Sequence, residues 1–472
     1  MKIDLSKDKI SVNPLNYEIL ENFLGGRGLG IKLFTDNVFR GINPLAEKNL
    51  LIFSVGPLTG SIAPTSGRFS LVTKSPLTNT IFHSNSGGYW GTYFKRCGYD
   101  CLYISGKLKD ENKSYILIDG VNAVEIKDAN DLWGLKTLDT IENLKKIEGN
   151  NCQVLTIGPA GENLVKFASI MNQGHRAFGR GGVGAVMGSK NLKAIVVKNG
   201  NIQFPVKNKE HMKKLNVIAI DKIKVVPITS QGLALLGTAA LVKVINLFGM
   251  FPIKNFQSAF TDSTKIDLIS GERLREKFLV KNEGCYNCII KCGRMTNTGE
   301  MSGKGPEYES LWALGPLLGN FDLKEIAHAN YLCNEYGLDT ISTGSTIACA
   351  MELEQNKIIN NPVMKFGNKI NLNETIKRIA LREGIGNELA EGSLRFSKKY
   401  KSLDLAMQVK GLEIPAYDPR GAFGYALNYA VSSRGACHLT GFLAALEILG
   451  VPKLIDRFSV SGKSDLLLLK QN

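Results

Sequence analysis

Three thiols within eight residues constrain this chain more than any other feature: Gly284-Cys285-Tyr286-Asn287-Cys288-Ile289-Ile290-Lys291-Cys292, a C-x2-C-x3-C cluster. Sulfurs this close can hold three corners of an iron–sulfur cube, with a fourth ligand arriving from elsewhere in the fold. A structural zinc needs a closed set of four N/S ligands, and no second C-x2-C or His pair lies nearby. The order of the gaps argues against a radical-enzyme cluster, which usually shows the wider gap first. Iron–sulfur is favoured over zinc, and three structural cysteines in an ordinary loop remain the alternative.

A chain of 472 residues with 44% hydrophobic composition is long enough for two or three packed domains. The first residues, Met1-Lys2-Ile3-Asp4, are too charged for a signal segment, and the longest apolar candidate, Leu235 to Ile253, is interrupted by Lys243 and Asn246. A soluble, cytoplasmic protein with no membrane partner is expected. The other cysteines (Cys97, Cys101, Cys152, Cys333, Cys349 and Cys437) are scattered and fit reduced core thiols rather than a disulfide framework. A net charge of +15 is compatible with nucleic acid, an acidic protein partner or solvated lysine faces. The lysines form no aromatic-interleaved stripe, which argues against nucleic acid.

Residues 1–205 read as β-rich, with strands expected at Leu50–Val55, Arg68–Thr73, Asp100–Ser105, Ser114–Ile118, Cys152–Ile157, Leu164–Ile170 and Lys193–Val197. One helix, Leu135–Ile147, interrupts them. After Phe204-Pro205 amphipathic patterns take over at Glu210–Lys222, Leu233–Leu247, Leu323–Tyr336, Ser342–Leu353, Glu374–Arg382 and Ile385–Lys399. The expected fold class is α+β. A β-rich domain over 1–205 is followed by an α-helical domain over 206–410 that carries the cysteines, and by the start of a C-terminal helical domain over 411–472.

Three glycine-rich stretches carry more than turn chemistry: Gly56-Pro57-Leu58-Thr59-Gly60 with Gly67-Arg68, then Asn85-Ser86-Gly87-Gly88, then Gly174-His175-Arg176-Ala177-Phe178-Gly179-Arg180-Gly181-Gly182-Val183-Gly184. Backbone amides freed by glycine, with Arg68, Arg176 and Arg180, suit a phosphate-bearing ligand. Gly179 to Gly184 matches G-x-G-x-x-G formally, but a strand is expected almost at once afterwards. No acidic residue lies about 20 positions on to hold a ribose, so the dinucleotide reading fails. In the helical part, Glu309 and His438 could divide base and acid work if the fold joins them; each alone is more often a capping carboxylate or a satisfied core histidine.

Taken together, these stretches resemble the tungsten-containing aldehyde ferredoxin oxidoreductase family. The motifs that carry the resemblance also include Lys74-Ser75-Pro76-Leu77-Thr78, Gly158-Pro159-Ala160-Gly161-Glu162-Asn163, Gly188-Ser189-Lys190-Asn191-Leu192-Lys193 and Gly305-Pro306-Glu307-Tyr308-Glu309-Ser310. The resemblance implies a tungsten-bispyranopterin cofactor whose phosphates are joined by magnesium, beside one 4Fe-4S cluster. It also implies a β-rich base for the pterins and helical domains that cover it.

Carried over position by position, Arg68 resembles the residue linking a pterin to the cluster. Asn85 and Ala177 resemble the positions whose carbonyls hold magnesium, with Gly87, Gly88, Arg176, Arg180, Gly181 and Gly182 beside them. Cys285, Cys288 and Cys292 look like cluster ligands. The segment Asn334 to Asp339, with Gly337 and Leu338, resembles the first pterin loop, with Asn334 in place of the usual Asp. Glu309 and His438 match the family's catalytic pair. The implied activity is oxidation of an aldehyde to a carboxylic acid, with electrons leaving through the cluster to ferredoxin.

Two departures go with the resemblance. The family's second pterin loop, which supplies the fourth cluster cysteine, has no counterpart before Leu469-Lys470-Gln471-Asn472. A C-terminally shortened member is therefore expected, completed by a companion polypeptide or left as an incomplete, non-catalytic relative. At the positions where some relatives bind an intersubunit metal stand His328 and Asn373, which implies a homodimer without a bridging metal. Neither the choice of aldehyde nor that of tungsten over molybdenum is written in the sequence.

Overall fold

The computed structural model describes residues 1–471 apart from Asp110, Asn122, Phe204 and 368–370. Phe204, at the expected domain boundary, and the terminal Asn472 lie outside the described residues. The architecture is α+β, as the sequence predicts, and the chain packs as two compact units. Unit 1 comprises Met1–Ala234, Glu283–Cys292 and Asn334–Asp339; unit 2 comprises Leu235–Asn282, Gly293–Cys333 and Thr340–Asn472.

Unit 1 is built on two six-stranded sheets. The first runs β1 (Lys2–Asp4), β2 (Lys9–Ser11), β3 (Leu51–Val55), β4 (Phe69–Lys74), β5 (Ile81–Ser86) and β6 (Cys101–Ser105), in the spatial order β2-β1-β6-β3-β4-β5. The second runs β7 (Ser114–Ile118), β8 (Val124–Asp128), β9 (Cys152–Thr156), β10 (Ile170–Asn172), β11 (Arg176–Phe178) and β12 (Leu192–Lys198), in the order β11-β10-β9-β12-β7-β8. β1 pairs parallel with β6, and β12 with β7. The other neighbours in both sheets pair antiparallel. β3 and β4 are buried along their whole length, and β3 accordingly reads as a nearly continuous apolar run rather than an alternating one.

An aromatic run joins the sheets. Phe69 stacks on Trp90 at 5.1 Å and meets Phe178 edge-on at 4.9 Å, and Trp90 Nε1 donates to the Ile195 carbonyl at 3.1 Å. Beneath it lies a buried ion pair, Lys193 with Glu162, whose side chains are 0% and 5% exposed. Lys193 Nζ also donates to Leu135 O at 2.8 Å, and Gly134 N–H donates to Glu162 Oε2 at 2.8 Å.

Two expectations for this part need correcting. The strand expected at Leu164–Ile170 is a turn that reaches β10 only at Ile170, and helices are more numerous than the single one foreseen: Tyr17–Phe23, Gly26–Asn37, Trp90–Arg96 and Val183–Gly188 join Thr137–Glu148. Glycines in Gly26–Asn37 and Val183–Gly188 lower helix propensity but let these helices pack closely against their neighbours.

Unit 2 is helical. Its centre is Thr340–Gln355, buried along nearly its whole length and packed against Tyr308–Ala313 and Ser393–Lys399; Leu372–Leu381, Ile385–Leu389 and Phe423–Val431 belong to the same unit. The single helix expected over Ile385–Lys399 is two, parted at Gly392. Two buried hydroxyls of this core are matched by the fully buried Glu413, which accepts from Ser342 Oγ at 2.7 Å and Ser393 Oγ at 3.0 Å.

One stretch, Ile228–Leu247, is long and apolar enough to cross a membrane by length and composition. It is made of short π, α and 3-10 pieces, with Gly237 at φ +59° and the Arg294 guanidinium lying where a Cβ would be.

Arg294, 1% exposed, lies 3.7 Å from Glu307, which Lys304 approaches to 2.9 Å and Thr238 Oγ1 to 2.6 Å. Burial alone would raise the Glu307 pKa, but Lys304, Arg294 and the Thr238 hydrogen bond outweigh it and bring it down to about 2. A carboxyl depressed in the folded state stabilises fully above its unfolded pKa, and that contribution is lost as pH falls from about 4.5 through about 2. The shift corresponds to at most about 3 kcal/mol, reduced here because the side chain is one-third exposed. We expect Glu307→Gln to flatten the loss of stability between pH 5 and 2, read by urea denaturation at stepped pH; an unchanged acid slope counts against this assignment.

Candidate functional site

Unit 1 gathers the expected cofactor residues in two places. In the first, the loop Gly284–Cys292 is seated on the glycine stretches of the first sheet. Tyr286 N–H donates to Gly88 O at 3.2 Å and Tyr286 Oη to Gly60 O at 3.2 Å; Asn287 Nδ2 reaches Ile62 O and Ala63 O at 2.8 and 2.9 Å. The Arg96 guanidinium lies over the Tyr286 ring at 5.5 Å, and the Cys288 N–H closes a turn on Cys285 O at 3.1 Å.

The close approach of this loop explains Gly87, because a Cβ there would lie 2.6 Å from Cys285 Sγ. Arg176 stands against Gly88, and Asn172 Nδ2 donates to Gly87 O at 2.7 Å while its Oδ1 is buried with no hydrogen-bond partner among the described residues. Asn172 is a residue the sequence reading missed; its signal is a polar side chain at the end of a strand that meets glycines.

In the second place, Arg180 Nε donates to Asp339 Oδ2 at 3.1 Å, with the two side chains 9% and 5% exposed. The segment Asn334–Asp339 is fixed by its backbone: Ser169 N–H donates to Gly337 O at 2.8 Å, Asp339 N–H to Phe167 O at 3.1 Å, and Leu338 bridges Ala168. Thr137 Oγ1 donates to Asn334 O at 2.9 Å. Gly181 O accepts from Ser75 Oγ at 2.6 Å, and Gly182 opens the helix Val183–Gly188.

Asn85 lies on β5, its Oδ1 accepting from Ser70 Oγ at 2.7 Å, and Ala177 on β11 faces Met171. Arg68 is exposed and lines a surface pocket with Pro57, Thr59 and Ser66. The three thiols of the loop are half-buried, and no group of three or more His, Cys, Asp or Glu among the described residues converges in a metal-holding arrangement.

The residues fit the implied groups in two respects. A glycine cradle sits beside arginines, as the anionic part of such a cofactor requires, a buried, unpartnered amide oxygen suits one of its N–H donors, and three thiols sit on one anchored loop, as an iron–sulfur cluster requires.

Unit 2 brings Glu309 and His438 together across more than a hundred residues. Glu309 Oε1 lies 3.8 Å from His438 Nε2, and the side chains are 14% and 13% exposed. Glu309, in the first turn of the helix Tyr308–Ala313, is aimed by the Ala416 N–H, which donates to its Oε2 at 3.0 Å. Neighbouring Tyr308 is fixed by its Oη donating to Ala416 O at 2.5 Å, and the Tyr417 ring lies 6.1 Å from the imidazole.

Behind His438, the buried Cys437 Sγ accepts from Arg434 Nη2 at 2.6 Å, Thr440 Oγ1 at 3.0 Å and the Leu439 N–H at 3.3 Å. Burial pushes this thiol up, but Arg434 and the hydrogen bonds outweigh it and leave its pKa below the usual value. His328 bonds Thr298 Oγ1 at 2.7 Å, and burial lowers its pKa.

Two family profiles and several known proteins match the chain. The family profile "Aldehyde ferredoxin oxidoreductase, N-terminal domain" matches residues 1–199 and "Aldehyde ferredoxin oxidoreductase, domains 2 & 3" matches 214–472. A tungsten-containing aldehyde ferredoxin oxidoreductase of Pyrococcus furiosus is 46% identical over the whole chain and 78% of the relative's length. That of Thermococcus kodakarensis is 44% identical over the same shares. An aliphatic sulfonate oxidoreductase, WOR-like subunit, of P. furiosus is 32% identical over 97% of the chain and 77% of its own length.

Among solved structures, the active site complex BamBC of benzoyl coenzyme A reductase superposes with a TM-score of 0.81 at 26% identity, covering 93% of this chain and 69% of that one. The two six-stranded sheets, the cysteine loop, the segment Asn334–Asp339 and the carboxylate–imidazole pair all fall within matched residues, and the chain belongs to the aldehyde ferredoxin oxidoreductase family of oxidoreductases.

Proposed function

We propose that this chain oxidises an aldehyde to a carboxylic acid and passes the electrons through a 4Fe-4S cluster to a ferredoxin-type acceptor. The observation that carries the reading is the Glu309–His438 pair, largely buried and aimed by the Ala416 amide. The overall change is aldehyde plus water to acid, with release of two protons and two electrons. Arg180, Asn334–Asp339 and Gly87–Gly88 of unit 1 would hold a tungsten-bispyranopterin group, with Asn85 and Ala177 toward its magnesium, and that group would supply the two-electron acceptor.

The Glu309 carboxylate takes a proton from the attacking water, and His438 Nε2 hydrogen-bonds the aldehyde oxygen. Tyr308 and Tyr417, whose phenols burial holds well above their ordinary pKa, stay neutral and wall the pair against bulk water. Cys285, Cys288 and Cys292 would hold the cluster, and a net charge of +15 would attract an acidic electron carrier. A homodimer formed by packing, without a bridging metal, belongs to the same reading.

The test is elemental analysis of anaerobically purified protein, followed by an aldehyde assay with ferredoxin. About four irons and one tungsten per chain with turnover of aldehyde is the expected result. Iron without tungsten leaves a cluster-bearing, non-catalytic relative, and neither metal refutes the proposal.

A further inference from the structure

Behind the catalytic pair, unit 2 buries a line of polar groups that the aldehyde chemistry above does not use. The Tyr417 ring, 6.1 Å from His438, stacks on Tyr425 at 4.7 Å with planes 6° apart. Tyr425 follows Gly424, whose N–H donates to Glu447 Oε1 at 2.9 Å. Lys463 Nζ donates to the same Oε1 at 2.5 Å and to the carbonyl of exposed Asp456 at 2.6 Å. Polar groups therefore follow one another from Glu309 and His438 to the surface of the unit.

Two members of that line have polar atoms with no protein partner. Tyr425 is 0% and Glu447 1% exposed, yet Tyr425 Oη and Glu447 Oε2 make no hydrogen bond among the described residues. Asn428 Oδ1, one helical turn beyond Tyr425, is buried and unpartnered in the same way. Buried polar atoms in folded proteins are almost all satisfied, and an internal water needs two to four such groups. A phenol and an amide oxygen one turn apart on the helix Phe423–Val431, and a carboxylate oxygen of the helix Ala444–Glu447 packed against it, supply them.

We propose that Tyr425 and Glu447, joined by buried water, carry protons from the Glu309–His438 pair to solvent. The inference rests on the aldehyde-oxidation reading, which frees two protons per turnover at a pair only 13–14% exposed. In each transfer the O–H bond on Glu309 breaks as its proton joins an intervening buried water, and that water gives up one of its own protons to form the new O–H bond on Tyr425 Oη, which no protein atom among the described residues reaches directly. Tyr425 releases its own proton to the next water, which hands one to Glu447 Oε2, and no electrons move. The Tyr425 phenol is raised well above its ordinary pKa by burial and by the nearby phenols and carboxylates, so it exchanges protons without persisting as phenolate.

The test uses the full, metal-loaded chain and Tyr425→Phe, which keeps the ring on Tyr417 and removes Oη. Infrared spectra of the wild type and Glu447→Gln identify the Glu447 carboxyl band, and that band is expected to shift in Tyr425→Phe. With aldehyde, kcat of either variant is expected to fall about 10- to 100-fold with KM and metal content unchanged, less than the about 10²–10⁴ of a direct general base. Added imidazole is expected to restore part of it.

An unmoved band removes the Tyr425–water–Glu447 link, and an unchanged kcat in Tyr425→Phe overturns the relay. Should the wild type turn over no aldehyde, the reading of the site fails on its own, and the band still decides whether the link exists.

Discussion

Glu309→Gln is expected to lower kcat by about 10²–10⁴ while leaving KM and the tungsten and iron content near wild type. Glutamine keeps an oxygen for the Ala416 N–H that aims the side chain, so position survives and basicity does not. The change isolates proton removal from binding: loss confined to kcat identifies a group acting in the transition state, whereas a rise in KM alone would assign Glu309 to substrate binding. Steady-state rates across pH, with metal counted in the same preparation, separate these outcomes. Retention of full activity would remove Glu309 from the mechanism.

The largest expected loss of stability comes from Lys193→Met. Its amine is wholly buried and pairs with Glu162, whose other oxygen accepts from Gly134 N–H. Removing the cation strands a carboxylate in the core of unit 1, and breaking such a pair from one side costs about 3–5 kcal/mol. The double variant Lys193→Met with Glu162→Gln, which removes both charges, is expected to recover most of that loss. Urea denaturation of the three proteins checks it, and equal stability of the single and double variants would show that the pair is not the unit of stabilisation.

This ion pair also shows why sequence motifs and sites are easily confused. Glu162 and Lys193 lie in two stretches that carry the family resemblance, and their chemistry suggests ligand binding, yet each serves to satisfy the other in the core. Strands such as Ser114–Ile118 were legible because a buried central strand is a plain apolar run. The short edge strands Lys9–Ser11, Val124–Asp128 and Arg176–Phe178 were not, because half-exposed residues leave no such run.

In the helix Thr137–Glu148 the apolar residues recur at every third position, but a true helix turns every 3.6 residues, so such a stripe drifts around the axis. Ile141 and Leu144 are buried, while Leu138 and Ile147 emerge into solvent at 38% and 62% exposure. The Glu309–His438 pairing was legible only through family likeness, because no local pattern links residues so far apart. Asn172, Tyr425 and Glu447 carry no motif at all; their significance comes from burial without a partner, a property of the fold alone.

The two short excursions that complete unit 1, Glu283–Cys292 and Asn334–Asp339, bear on how the molecule is made. A ribosome has delivered both sheets long before these pieces exist, so Gly88, Ser169 and Phe167 wait with unclaimed backbone groups until the late segments emerge. The nascent sheets therefore hold a template whose last contacts are contributed by sequence far downstream, a topology of high contact order that slows final closure. Any metal or pterin insertion that depends on those contacts must therefore wait until the chain has been made past Asp339, and a fragment ending near residue 205 would carry the glycine stretches without the loops they were shaped to receive.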